Sequence, residues 1–189
     1  MTAPNAATPS DSKKALKIAV LVSAVGLLCL IVSAPTLISW VPRPPDLTNP
    51  NQISRPGLAL TYPGNWTVDT TDSDYDLDRY FDINAPGNGT VMVQIVEEVL
   101  SPDEAALSFM KKFQATTLRN ATVYSIPWGG AGAALEGKGT LFLLPGRIRV
   151  AVFPGKTATC IVTELRFNDD ERMNKAGYDL IERSLKFSR

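Results

Sequence analysis

Hydrophobic and polar positions along the chain change their rhythm three times. From Ile18 to Pro42 there is no charged residue at all over 25 positions. From Pro42 to Pro56 prolines recur at 42, 44, 45, 50 and 56 without any apolar period. Beyond residue 57, short runs alternate apolar with polar and are punctuated by Pro-Gly and Asn-Gly pairs, the pattern of half-buried strands and tight turns.

The uncharged stretch is long enough to matter. As a helix, Ile18 to Val41 would extend about 36 Å at ~1.5 Å per residue, which covers a hydrocarbon core of roughly 30 Å. A cleaved signal peptide needs a shorter apolar run and a small-x-small site. The best such site, Val32-Ser33-Ala34, is followed by Pro35, and Cys29 follows Leu28 where a lipoprotein carries a small residue. Residues 18–41 are therefore expected to be a retained transmembrane helix. Lys13, Lys14 and Lys17 precede it, so the positive-inside rule places the N-terminus in the cytoplasm and the rest of the chain outside. Trp40 would lie at the far interface. Residues 1–17 read as a disordered cytoplasmic tail, and 42–56 as a Pro-rich stalk that holds the following domain off the membrane.

In residues 57–189, Leu58 to Tyr62, Asp78 to Asn84 and Val91 to Val99 read as strands, with a hairpin loop at Ala85 to Gly89. Ser101-Pro102-Asp103-Glu104 predicts a helix start by capping box, and Ala106, Phe109, Met110 and Phe113 give that helix one apolar face. Extended segments follow near 122–126, 133–144, 148–153 and 157–167. Turns are expected at Pro145-Gly146 and Pro154-Gly155, where a fixed φ precedes a residue that accepts positive φ. A second helix begins near Asn168, with Met173, Ala176, Gly177, Leu180, Ile181 and Leu185 on one stripe. Strand runs interrupted by separate helices give an α+β fold, a mostly antiparallel sheet packed with two main helices and preceded by one transmembrane helix.

Three of these pieces belong together: LALTYPGNW at 58–66, the Ser101-capped helix after a hairpin, and the closing IERSLKF at 181–187. In them the chain resembles the PsbP-like superfamily. That group includes the extrinsic PsbP subunit of photosystem II, a nuclear Ran-binding protein, the DcrB family and many bacterial lipoproteins. The resemblance covers most of 57–189 and implies an antiparallel sheet between helices, with binding or assembly roles rather than catalysis. The chain has no histidine and no suitable lipoprotein cysteine, so metal sites and lipid anchors of some members do not carry over.

Composition narrows the chemistry. Residues 57–189 hold 14 basic and 17 acidic side chains, a net of 14 − 17 = −3 with no basic run, so no nucleic-acid partner is expected. Without histidine, Cys160 in its apolar strand has no such base to activate it and reads as core. Asp72, Asp74 and Asp76 imitate the first ligands of a calcium loop, but Leu77 and Ile83 stand where that loop needs Gly and Glu. The segment is expected to be a solvated strand edge or loop, and on a strand the even-numbered acids through Asp82 would face water. The glycine-rich Trp128 to Gly132 lacks the Lys-Ser/Thr of a phosphate loop and reads as a turn or bulge. Trp66 and Trp128 are candidate anchors for a protein partner. Asn65, Asn88 and Asn120 each open an N-x-Thr triplet.

The functional expectation is a non-catalytic, single-pass membrane-anchored extracytoplasmic binding or assembly module, with the membrane and a protein of unknown identity as partners. The alternative is a divalent-cation or small-ligand sensor using the Asp72–Asp78 segment, with calcium as its ion.

Overall fold

The computed structural model describes residues 43–189. The expected cytoplasmic tail and transmembrane helix, with Cys29, Pro35 and Trp40, lie outside the described residues. Among the described residues no helix is long and apolar enough to cross a membrane.

Alternation becomes strand where it was read. The elements run β1 (Asn51–Arg55), β2 (Leu58–Tyr62), β3 (Thr67–Val68), β4 (Tyr80–Asn84), β5 (Thr90–Val96), α1 (Pro102–Thr116), β6 (Leu118–Ser125), β7 (Ala133–Leu141), β8 (Leu144–Pro154), β9 (Thr159–Phe167), α2 (Asn168–Ser184) and β10 (Lys186–Phe187). Two antiparallel sheets result, one of three strands ordered β1-β2-β10 and one of seven ordered β3-β4-β5-β9-β8-β7-β6. Helix α1 packs on β6, β7 and β8, while α2 packs on β2, β8 and β9.

The two helices lie on opposite faces of the large sheet. An ideal Cβ at Gly137 would meet Leu118 and the Met110 sulfur, so Gly137 and its cross-strand partner Ile148 face α1. The alternate residues face α2 and the small sheet, where Phe81, Ile83, Val91, Val93, Ala151, Cys160 and Val162 join Leu58, Leu60, Trp66, Tyr178 and Ile181 in one apolar cluster.

Several expectations are corrected. The folded unit begins inside the segment read as a stalk: β1 pairs with β2 from Asn51↔Tyr62 to Arg55↔Leu58. Upstream of it, Asp46 N–H donates to Asn65 Oδ1 at 2.7 Å and Asn65 Nδ2 donates to the Pro44 carbonyl at 2.9 Å. Prolines read as breakers here act only as breaks between docked pieces. Asn65, a glycan-acceptor pattern in sequence, spends its amide on this clamp.

Helix α1 starts at Ser101 with Pro102 inside it, as read, but the serine hydroxyl makes no capping bond. Its start instead has Ser101 carbonyl accepting Ala105 N–H at 2.9 Å, with Asp103 and Glu104 in the first turn to oppose the helix dipole. In α2 the buried stripe is Asn174, Gly177, Tyr178 and Ile181, turned from the predicted one. Gly177 is required there, because a Cβ would meet the Trp66 ring at 2.4 Å.

Neither Pro-Gly pair has the expected positive-φ glycine, although the β8–β9 reversal does fall directly after Pro154, with Gly155 N–H donating to the Ala158 carbonyl at 2.9 Å. Pro145 and Gly146 lie within β8, paired with Thr140 and Gly139. Gly155 is small because the Arg189 carbonyl passes 2.1 Å from where its Cβ would be, while its φ is not positive. The β7–β8 reversal falls instead at Phe142 and Leu143, with φ of 46° and 78°. Two successive left-handed residues make a type I′ turn, which ordinarily takes Asn-Gly, and non-glycine residues held there cost about 1 kcal/mol or more each.

Candidate functional site

On the α2 side of the large sheet, register builds a charged row. Glu136 of β7 lies opposite Arg149 of β8, which lies opposite Glu164 of β9; one step along, Arg147 lies opposite Arg166. Because these residues are two apart on their strands, all project to one face. Helix α2 closes over them with Glu171 and Glu182, eleven residues and close to three turns apart at ~3.6 residues per turn, so both carboxylates descend from the same side.

The pairs are dense. Arg166 Nη2 reaches Glu164 Oε2 at 2.5 Å and Glu182 Oε1 at 2.7 Å. Arg149 meets Glu182, Glu164 Oε2 at 3.4 Å and Glu136 Oε2 at 3.4 Å. Arg147 bridges Glu171 Oε2 at 2.7 Å and Glu136 Oε1 at 3.5 Å, and the Tyr124 hydroxyl donates to Glu136. Two guanidinium groups also lie over aromatic rings: Arg149 is 4.9 Å from the Trp128 centroid and Arg166 is 4.1 Å from that of Tyr178.

Burial sets the electrostatics. Glu164 is 0% exposed, and burial pushes its carboxyl up to about 7 despite Arg166 and Arg149. Burial acts to lower Arg166, but Glu164 and Glu182 together carry it above its ordinary value. The Tyr178 hydroxyl is raised by burial first and by Glu164 second. Three arginines therefore face four glutamates, with Glu164 Oε1 and the Nε of each arginine left buried without a hydrogen-bond partner.

The residues singled out in sequence are not brought together. Trp66 is 2% exposed and packs edge-on to Tyr178 with centroids 5.1 Å apart. Trp128 is 6% exposed and packs edge-on to Phe153 at 6.3 Å. Both indoles are packing elements rather than displayed anchors, and the Nε1 of each is buried without a hydrogen-bond partner. Burial pushes the Cys160 thiol up to about 12, which keeps it protonated at neutral pH.

Asp72, Asp74 and Asp76 lie in a turn-rich loop before β4, not on a strand. Asp72 Oδ1 accepts the Asp74 N–H and Asp76 Oδ1 accepts the Asp78 N–H, each at 2.9 Å. Those carboxylates brace their own turns. Among the described residues no three His, Cys, Asp or Glu side chains converge as a metal site. Asp82, read as facing water, is 8% exposed and accepts the Tyr80 hydroxyl at 2.7 Å. Burial raises its carboxyl to about 7, with Asp72 and Asp69 adding to the rise against the Tyr80 hydrogen bond.

The charged row itself was missed in sequence. Its signal was there: Arg147-x-Arg149 and Glu164-x-Arg166 place charges at i and i+2 on two strands read as an antiparallel meander.

No protein-family model and no curated protein sequence matches the chain. Solved structures do. The chain is similar to LpqN, involved in cell envelope biogenesis of Mycobacterium tuberculosis, with a TM-score of 0.50 and 12% identity over 75% of this chain and 91% of that one. It is also similar to cyanobacterial PsbP (CyanoP) from Synechocystis sp. PCC 6803, with a TM-score of 0.51 and 11% identity over 82% of this chain and 98% of that one. The domain has a PsbP-like fold.

Proposed function

We propose that this PsbP-like domain is a non-catalytic binding or assembly module, anchored by residues 18–41 and presented outside the cytoplasm to a protein partner. The observation that carries the reading is the likeness to LpqN, a protein of cell envelope biogenesis, over 75% of the chain. The chemistry of the domain supports it. Buried Glu164, Arg149 and Arg166 are paired with one another, and its buried thiol is held protonated.

Two experiments test the two halves of the reading. Protease added outside intact cells should digest residues 43–189 and spare the N-terminal tail; a protected domain overturns the topology. Cross-linking the full chain in its native membrane should capture one reproducible protein through the domain. A hydrolytic activity abolished by a single polar substitution overturns the non-catalytic half.

A further inference from the structure

The largest exposed apolar feature of the domain lies where no turn chemistry calls for it. Leu143 is 88% exposed, and Phe142 and Leu144 beside it are 43% and 47% exposed. Together they form the tip of the β7–β8 hairpin, with Phe142 and Leu143 held at positive φ. Solubility and turn geometry would both favour Asn-Gly at this point, so the apolar tip runs against local preference in two independent ways. Strain kept at an exposed apolar tip points to a use for it.

Topology says which other segments share that end of the sheet. Pairings Thr67↔Asn84, Thr90↔Leu165, Gly146↔Phe167 and Leu118↔Leu141 gather one set of strand ends in the large sheet. The β7–β8 tip and the 63–66 turn before β3 both belong to that set. The 63–66 turn is the one to which the start of the described chain is clamped, through Gly64 N–H to the Asp46 carbonyl at 2.9 Å and Asn65 to Pro44. Leu47, in that clamped segment, is exposed as well.

Pro44 is docked against the 63–66 turn, so the chain preceding residue 43 enters the domain at the strand ends that also carry the apolar tip.

We propose that Phe142, Leu143 and Leu144 insert into the boundary between headgroups and acyl chains of the membrane that anchors the chain, giving the domain a second apolar foothold. This rests on the reading that residues 18–41 are a membrane anchor. The foothold is apolar rather than ionic, so it needs no anionic lipid.

The test uses the full chain carrying Cys29→Ser, with Leu143→Cys labelled by an environment-sensitive nitrobenzoxadiazole dye, in phosphatidylcholine vesicles. Cys160 is buried and stays unlabelled. Val99→Cys, exposed at the opposite strand ends, is the control. Insertion is supported if the dye at 143 shifts to the blue and is quenched by a spin-labelled lipid while the dye at 99 does neither. It is overturned if the dye at 143 stays aqueous, if both positions respond alike, or if the shift at 143 follows protein concentration, which would mean self-association. Flotation and resistance to alkaline extraction on the same vesicles test the anchor separately. A chain that floats with an aqueous tip sinks the foothold alone, whereas a chain that does not float sinks the anchor first.

The double variant Phe142→Asn/Leu143→Gly supplies the turn's preferred residues and so keeps the hairpin. With the dye moved to Leu144→Cys, it should show an unchanged or higher melting temperature and no blue shift; a retained shift overturns the proposal.

Discussion

The two faces of the seven-stranded sheet bury their helices by different means. Under α1 the sheet offers Ile148, Val150, Val152 and Ile161, all buried, to Ala106, Met110 and Phe113. Under α2, the same strands offer Glu136, Arg147, Arg149, Glu164 and Arg166 beside the apolar cluster. An apolar face holds a helix without fixing its rotation closely, since many packings bury similar area. Charged side chains accept far fewer arrangements, because each must end with a partner. On the second face Glu171 and Glu182 meet the arginines of the sheet, whereas on the first α1 meets it through apolar side chains.

The sharpest way to break this contrast is Arg166→Met. It leaves Glu164 and Glu182 facing each other with less compensation and should cost about 3–5 kcal/mol in urea unfolding. A loss under ~1 kcal/mol would mean the network contributes little.

Asp82 sharpens the contrast, because it is a buried carboxyl on the α1 side of the sheet with only a tyrosine hydroxyl for a partner. Its folded pKa, about 7, stands above the ordinary value of 3.8. Between these values the unfolded chain loses its proton first, so stability falls as pH rises from about 4 to about 7 and is level again above. At ~1.4 kcal/mol per pH unit the loss is on the order of 4 kcal/mol. Asp82→Asn keeps the acceptor and should remove that part of the slope, as read from urea midpoints across the range, leaving the part due to Glu164, whose carboxyl burial also raises to about 7.

On the apolar face, Met110→Ala opens a cavity next to Gly137 and Leu118, with an expected cost of about 3 kcal/mol and no change in pH dependence. Ser101→Ala should cost only a few tenths of a kcal/mol, well below the ~1 kcal/mol of a bonded cap, because the hydroxyl makes no capping bond. Smallest of all, calcium added to the full chain should leave its melting temperature unchanged, since Asp72 and Asp76 already brace their own turns.

What the sequence made legible followed from side-chain period. β2, β4, β5 and β9 lie close to where alternation put them and α1 begins at Ser101, whereas the run read as 133–144 holds β7, its turn and the first residue of β8. What it hid followed from contacts distant in sequence. β1 sits in a proline-rich stretch and becomes a strand because β2 offers it a partner. The β7–β8 reversal uses Phe142 and Leu143, residues with no turn preference, and Pro145-Gly146 was misleading because Gly146 is small for the Arg166 carbonyl and Leu141 beside it. Trp66, expected as a partner anchor, is buried, and its neighbour Gly177 could be understood only once the indole was seen against it. The charged row needed register, which no single strand carries.

The Asn65 clamp gives the domain a mechanical grain. A pull arriving through residue 43 loads the bonds to Pro44 and Asp46 first, and then β1, an edge strand paired with β2 on one side, pinned by buried Ile53 and gripped from its Asn51 end. Pulled from there, its rungs open one after another like a zip rather than sharing the load. Once the clamp to the 63–66 turn has let go, the seven-stranded sheet carries little of the pull until that short strand has peeled away, so β1 works as a fuse between residue 43 and the body behind it.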